Sequence, residues 1–345
     1  MRQERTKIGM TNEDHQPPLH YMPEAGAVSV TGDLNLRARA IVEEMLRQAD
    51  AMRIKLHDNG QGVPVLDCGV EEVGSLEAGL GLTQVTMSGL GRVDLVPGNS
   101  ALWPGPLVRV QTDQPVAACL ASQYAGWKVS ESAYFAMASG PMRAMAAREV
   151  LFSHIETHEH GDQAVGVLET AELPPAEVSR RIAFACDVDP RKLILLVART
   201  SSIAGSLQIV ARSIETAMHK LHELQFDVSR ILSGFGTAPL PPIAKDDLQG
   251  IGRTNDAILY GGDVTLWVNG DDDSLSQIVS RIPSKASADF GRPFAEIFAH
   301  YEFDFYKIDP QLFCPAQITL VNIDSGRVFR AGGLEPEVLR KSFEG

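Results

Sequence analysis

The chain has 345 residues, 44% of them hydrophobic and 22% charged, which suffices for a large core and is ordinary for a water-soluble globular protein. Its formal net charge of −13 argues against nucleic acid and anionic membrane as partners, since both require a basic footprint. No window approaches roughly 18 uninterrupted apolar residues, which excludes a transmembrane helix.

The first 32 residues are polar and carry Pro17, Pro18 and Pro23. They lack the apolar segment of a secretory signal, so a flexible tail and a cytoplasmic protein are expected. From Asn35 to Ile54, the residues Leu36, Ala40, Ile41, Met45, Leu46, Ala49 and Met52 recur three to four apart, which predicts a helix. Strand-like runs follow at Pro64–Cys68, Thr83–Met87, Val93–Val96 and Leu107–Gln111. A helix is expected from Gln114-Pro115, a strand at Ala133–Met137, and a helix from Gly140-Pro141 through Arg148. Further on, strands at Val165–Leu168 and Leu193–Val197 flank a helix that opens after Leu173-Pro174-Pro175 and runs to Ala185. This alternation reads as α/β. A loop is expected at Gly234–Pro242, then a helix near Asp246–Gly252, a strand at Val264–Val268, helices around Leu275–Arg281 and Pro293–Tyr301, and a last strand at Ala316–Val321. Residues 33–150 are read as one α/β lobe and 151–345 as a second, whose C-terminal part could return to the first.

The most informative stretch follows the apolar run Leu193–Val197. From Ala198 to Leu224 the pattern predicts one amphipathic helix, with Ile203, Leu207, Val210, Ile214, Ala217, Leu221 and Leu224 on one stripe. Gln208, Arg212, Glu215 and His219 fall opposite. Arg212 and Glu215 are three residues apart, close enough to touch. A cation and a carboxylate held so on a rigid element can do proton chemistry, or can be an ordinary surface ion pair.

Other candidates are weaker. The glycines of Gly74–Gly91 and of Gly234–Pro242 form no phosphate loop, because neither run ends in Gly-Lys-Ser/Thr. Pro239 stands where a dinucleotide turn needs its third glycine, and it lacks a backbone donor. A rigid pocket wall and a plain structural loop both fit Gly234–Pro242. Asn255-Asp256 and Tyr260-Gly261-Gly262 could line a pocket or simply cap and turn the chain. His154, His158 and His160 are not in the His-Glu-x-x-His order of zinc peptidases, so Glu156–Gln163 reads as a solvated loop. Ser139-Gly140-Pro141 reads as a turn, without the Gly-x-Ser-x-Gly elbow. Cys68, Cys119, Cys186 and Cys314 are far apart and form no C-x-x-C pair, which predicts buried thiols.

Three blocks together resemble the methenyltetrahydromethanopterin cyclohydrolase family. They are Tyr134–Pro141 with Arg143-Ala144, Ala198–Lys220, and Gly234–Pro242 with Gly252–Asp256. Asp309–Ala316, Asn322 and Gly326 are also similar. The resemblance implies a two-lobed mixed α/β fold with a pocket between the lobes, a homotrimer, and no metal or redox cofactor. It implies reversible hydrolysis of the cationic methenyl bridge of a tetrahydropterin one-carbon carrier to the N5-formyl form. The family's catalytic Arg and Glu match Arg212 and Glu215, and substrate contacts are expected from Ser139, Gly234, Gly236, Thr237, Pro239, Asn255 and Asp256. The bridge carbon is already electrophilic, so a positioned water and a carboxylate base suffice; Arg212 would orient Glu215 and keep it ionised. Two other readings are a nucleotide-dependent transferase or ligase using Gly234–Pro242, and a non-catalytic pterin-binding protein.

Overall fold

The computed structural model describes residues 33–58, 62–131 and 133–344. The expected N-terminal tail lies outside them. In chain order come α1 (Leu34–Arg47), α2 (Ala49–Met52), β1 (Lys55–Asp58), β2 (Pro64–Asp67), α3 (Leu76–Thr86), β3 (Gly91–Val96) and β4 (Leu107–Thr112). A π-helix over Val116–Gln123 leads to β5 (Trp127–Glu131), β6 (Tyr134–Ser139), α4 (Met142–Ala146), α5 (Leu151–Ile155) and β7 (Ala164–Glu169). Next are α6 (Ala176–Ala185), β8 (Leu193–Ala198), α7 (Ile203–Val210), α8 (Ser213–Glu223), β9 (Ile231–Pro239), α9 (Asp247–Gly261) and β10 (Asp263–Val268). The chain closes with α10 (Asp272–Ile278), α11 (Phe294–His300), β11 (Gln317–Asn322), β12 (Val328–Gly332) and α12 (Pro336–Glu344).

The strands build two six-stranded mixed sheets, so the fold is mixed α/β as expected. One runs β1-β2-β8-β7-β6-β5, and the other β12-β11-β10-β9-β4-β3. In the first, β2, β8 and β7 are parallel neighbours, and a parallel pair needs a crossover, supplied by α6 between β7 and β8. All six residues of β8 are buried, as expected of a strand covered on both faces. Leu193, Leu195 and Val197 pack into one cluster with Val178 and Ile182 of α6. Ile194, Leu196 and Ala198 point the other way, onto Val42 of α1 and Leu82 of α3. The largest cluster joins α8 and α9 to the second sheet through Ile214, Leu221, Ile258, Val264 and Leu266. Sheet membership interleaves along the chain: β3 and β4 join the second sheet, while β7 and β8 join the first.

Several local expectations are corrected. Thr83–Met87 is the end of α3 and not a strand; its β-branched residues are buried on a helix whose start Ser75 caps, so packing overrides propensity. The buried face of α1 is Leu34, Asn35, Ala38, Val42 and Met45, whereas Leu36 is exposed. The stretch from Glu156 to Gln163 is not simply solvated. Thr157 and Glu159 are buried, and the Glu159 carboxylate accepts from Asn35 N at 3.0 Å and Asn35 Nδ2 at 2.9 Å. Gly234–Pro242 is a loop only at its end, because β9 runs through Pro239 between β10 and β4. β1, β5, β12 and α12 carried no clear sequence signal.

Candidate active site

The long predicted helix is two helices. Ala211 and Arg212 break it: the Arg212 amide donates to Ile209 O at 3.0 Å, a tightened three-residue step, and α8 begins at Ser213. Such steps within helices often mark functional places. The row expected to face solvent is covered. Gln208, Arg212 and Glu215 are 1%, 6% and 4% exposed, so the pair is no surface ion pair.

The π-helix supplies the other half of the site. The last carbonyls of a helix have no partner within it, and here two arginines take them. Arg143, fully buried on α4, donates through Nη1 to Leu120 O at 3.1 Å and to Ala121 O and Ser122 O at 3.4 Å each. Its guanidinium pairs with Glu149 and lies between the rings of Tyr124 and Phe152. Arg212 takes the next carbonyl, Gln123 O, through Nη1. Through Nη2 it donates to Ser139 Oγ at 3.2 Å and to Gln208 Oε1 at 3.0 Å.

Arg212 therefore has three acceptors, and Glu215 is not among them. Their nearest approach is 4.0 Å, from Arg212 Nη1 to Glu215 Oε2, beyond hydrogen-bond reach. Burial pushes the Glu215 carboxyl up to about 7, against the downward pull of Arg212 and Arg143. Burial likewise pulls the Arg212 guanidinium below its ordinary value. A carboxyl poised near neutrality is suited to take and return a proton. Beside this pair, Gln123 Oε1 and Ser213 Oγ are buried with no hydrogen-bond partner among the described residues.

Gly234 and Gly236 stand behind the pair. A Cβ at Gly236 would come within 2.5 Å of Ser213 Oγ, and one at Gly234 within 2.9 Å of Ile214 Cγ2. The glycines admit the start of α8 against β9, and both lie within a strand, not in a loop that opens a helix. Ser139 is brought to Arg212. Thr237 pairs across β9 with Arg109 and Asp263, and Pro239 packs on Gly261. Asn255 and Asp256 lie inside α9 and are not a turn: Asn255 Nδ2 donates to Ile251 O at 2.9 Å. Asp256 accepts from Phe294 N at 2.8 Å, anchoring α11, and burial pushes its carboxyl up to about 7. Among the described residues, no hydrogen bond joins Thr237, Pro239, Asn255 or Asp256 to Arg212 or Glu215.

One turn beyond Glu215, His219 stacks on Tyr124 with ring centroids 4.4 Å apart, and burial pulls it down to about 4. His154, on α5, contacts His222 at 2.9 Å between ring nitrogens, while His158 and His160 stack on each other. Among the described residues, one set of side chains could gather around a metal: His57, Asp67 and Glu71. Asp67 there accepts four backbone N–H bonds, from Gly69, Val70, Glu71 and Glu72, which is the work of a loop cap. All four cysteines are free and buried. No described helix is long and apolar enough to cross a membrane.

Three site residues escaped the sequence reading: Gln123, Arg143 and Gln208 as partners of the pair. Only Gln208 had a usable signal, its spacing of four from Arg212.

Fold and site together fit a mixed α/β protein that buries an arginine and a carboxyl side by side. The family model described as Cyclohydrolase (MCH) matches residues 33–343, and the chain belongs to that family. It is 49% identical over 327 residues to the methenyltetrahydromethanopterin cyclohydrolase of Rhodopirellula baltica, covering 93% of this chain and 97% of that one. The enzyme of the same name from Xanthobacter autotrophicus is 47% identical, over 88% and 90% of the two chains. The one from Methanocella arvoryzae is 42% identical, over 90% and 98%.

Proposed function

We propose that this chain reversibly hydrolyses the methenyl bridge of 5,10-methenyl-tetrahydromethanopterin to the N5-formyl form, with Glu215 as general base and Arg212 as its partner. The observation that carries the mechanism is Glu215 itself: a buried carboxyl, near neutral in pKa, with a guanidinium 4.0 Å away and no hydrogen bond to it. Family membership and the names of the relatives support the substrate.

Water adds to the amidinium carbon, and Glu215 takes one of its protons. The neutral adduct then collapses to the formyl group as its C–N10 bond breaks. N10 receives the proton from Glu215, and the hydroxyl proton leaves to solvent, so each hydrolysis releases one proton. Arg212 and Arg143 hold positive charge near the site and favour the ionised base. The substrate supplies its own electrophile, so the reaction requires neither a metal nor a redox cofactor. The protein would act in one-carbon metabolism, in the cytoplasm, as a homotrimer; sedimentation equilibrium giving a single-chain mass would refute the trimer.

The direct test is to mix purified protein with methenyl-tetrahydromethanopterin, without added metal or nucleotide, and to follow loss of the methenyl chromophore. Catalysed loss is expected. A rate equal to the spontaneous one would overturn the function.

A further inference from the structure

Arg212 and Glu215 are both buried, three residues apart and of opposite charge, yet their closest atoms are 4.0 Å apart. A guanidinium and a carboxylate free to move close into hydrogen-bonded contact of about 2.7–2.9 Å. Something holds Arg212 back. Of its three acceptors, Gln123 O is main chain, Ser139 Oγ is at 3.2 Å, and Gln208 Oε1 is the closer side-chain acceptor at 3.0 Å. Gln208 is 1% exposed and stands on α7, on the far side of the helix break from Glu215.

We propose that Gln208 is a positioning residue: by accepting from Arg212 Nη2 it holds the guanidinium short of the Glu215 carboxylate. The proposal rests on the reading of Glu215 as the base. Held at this distance, Arg212 lends Glu215 charge without donating to it. Closing the gap would add donors to the ionised form and weaken the base.

The other charged and titratable groups around the pair are few. Glu215 faces Arg143 of α4, Cys119 and Tyr124 of the π-helix region, and Cys314 before β11. Arg212 faces Arg143 again and Glu169 at the end of β7. Glu169 Oε1 accepts from Thr200 Oγ1 at 2.5 Å. None of these groups changes when Gln208 is replaced.

Two replacements should act in opposite directions. Gln208→Met keeps the length and removes the acceptor, so Arg212 closes on Glu215 and the acid limb of kcat/KM moves about one pH unit down. Gln208→Glu grips Arg212 more tightly and adds a negative charge nearby, so the limb moves up by a similar amount. The second readout needs no substrate: the side-chain carboxyl of Glu215, assigned by its loss in Glu215→Gln, is titrated by carbon-13 NMR in each protein. Opposite shifts in both readouts support the proposal. Unchanged titrations, or shifts of the same sign, overturn it, even where the variants melt lower, because a merely structural role lowers the melting temperature alone. Should Gln208→Met not fold, Gln208→Asn, which is too short to reach Arg212, takes its place and must move both readouts down. Normal turnover by Glu215→Gln would instead remove the base assignment, while the NMR shifts would still report the tether.

Discussion

Glu215→Gln should cost activity and add stability, and the two effects follow from the same burial. The amide mimics the protonated acid in shape, so the packing around α8 should survive. Removing the base forfeits general acid–base catalysis, about 10²–10⁴ in kcat, or about 3–5 kcal/mol of transition-state stabilisation. The stability effect comes from the raised carboxyl. A folded-state value of about 7 against an ordinary 4.5, at about 1.4 kcal/mol per unit, makes ionised Glu215 cost about 3 kcal/mol in the folded protein. The sign is that of a raised acid: wild-type stability is full below about pH 4.5, falls as pH rises, and has lost this amount above about pH 7. Glutamine does not titrate, so the variant should match wild type near pH 4.5 and exceed it near pH 8. A difference of that size corresponds to roughly 5 °C in Tm for a chain this long. The assay is a pair of thermal melts at the two pH values, run beside initial rates of chromophore loss. Normal turnover in Glu215→Gln would refute the base assignment. A variant less stable than wild type at pH 8 would refute the reasoning from burial, by showing that Arg212 and Arg143 more than offset desolvation.

Wild-type kcat/KM for hydrolysis should fall as pH drops through about 7, approaching tenfold per unit, because Glu215 then carries its proton; a flat profile from pH 5 to 8 contradicts this. Arg212→Lys should lower kcat at least about tenfold, since an ammonium cannot hold Gln123 O, Ser139 Oγ and Gln208 Oε1 from one plane; steady-state rates with a Tm control check it. Gly236→Ala should cost about 1–3 kcal/mol in denaturant unfolding, because the new methyl meets Ser213 Oγ at 2.5 Å and displaces the start of α8, and kcat should fall with it. Replacing His154, His158 and His160 by alanine should leave turnover within a few-fold, as should dialysis against a chelator. Loss of activity restored by zinc would show instead that a metal takes part.

How far the site was legible differs residue by residue. Arg212 and Glu215 could be singled out because their spacing is a local property of a helix, and helix does form on both sides of the break, over Ile203–Val210 and Ser213–Glu223, although Ala198 belongs to β8 and the first helix starts only at Ile203. Their burial could not be read. The same spacing describes an exposed ion pair, and the choice between the two depends on what lies over the helix. That cover is the π-helix 116–123 and the end of β6, more than 70 residues earlier in the chain. The packing of Gly234 and Gly236 was hidden for a similar reason: a glycine records that something approaches closely, but only the fold shows that the start of α8 does so here.

What the sequence determined alone is most of the elements and their class. Period-two and period-3.6 patterns report which faces are apolar, and the run Leu193–Val197, too apolar for a surface strand, announced a buried one. What only the tertiary structure decided is where those faces meet. The break at Ala211–Arg212 carries no glycine or proline; tertiary contacts bring Arg212 onto the orphan carbonyl of Gln123 and Gln208 onto Arg212. Local pattern measures the hydrophobicity of a segment against water. Desolvation of Glu215, and hence its proton affinity, is a property of everything packed around it, and it came into being only when the second sheet, the π-helix and the end of β6 packed around the start of α8.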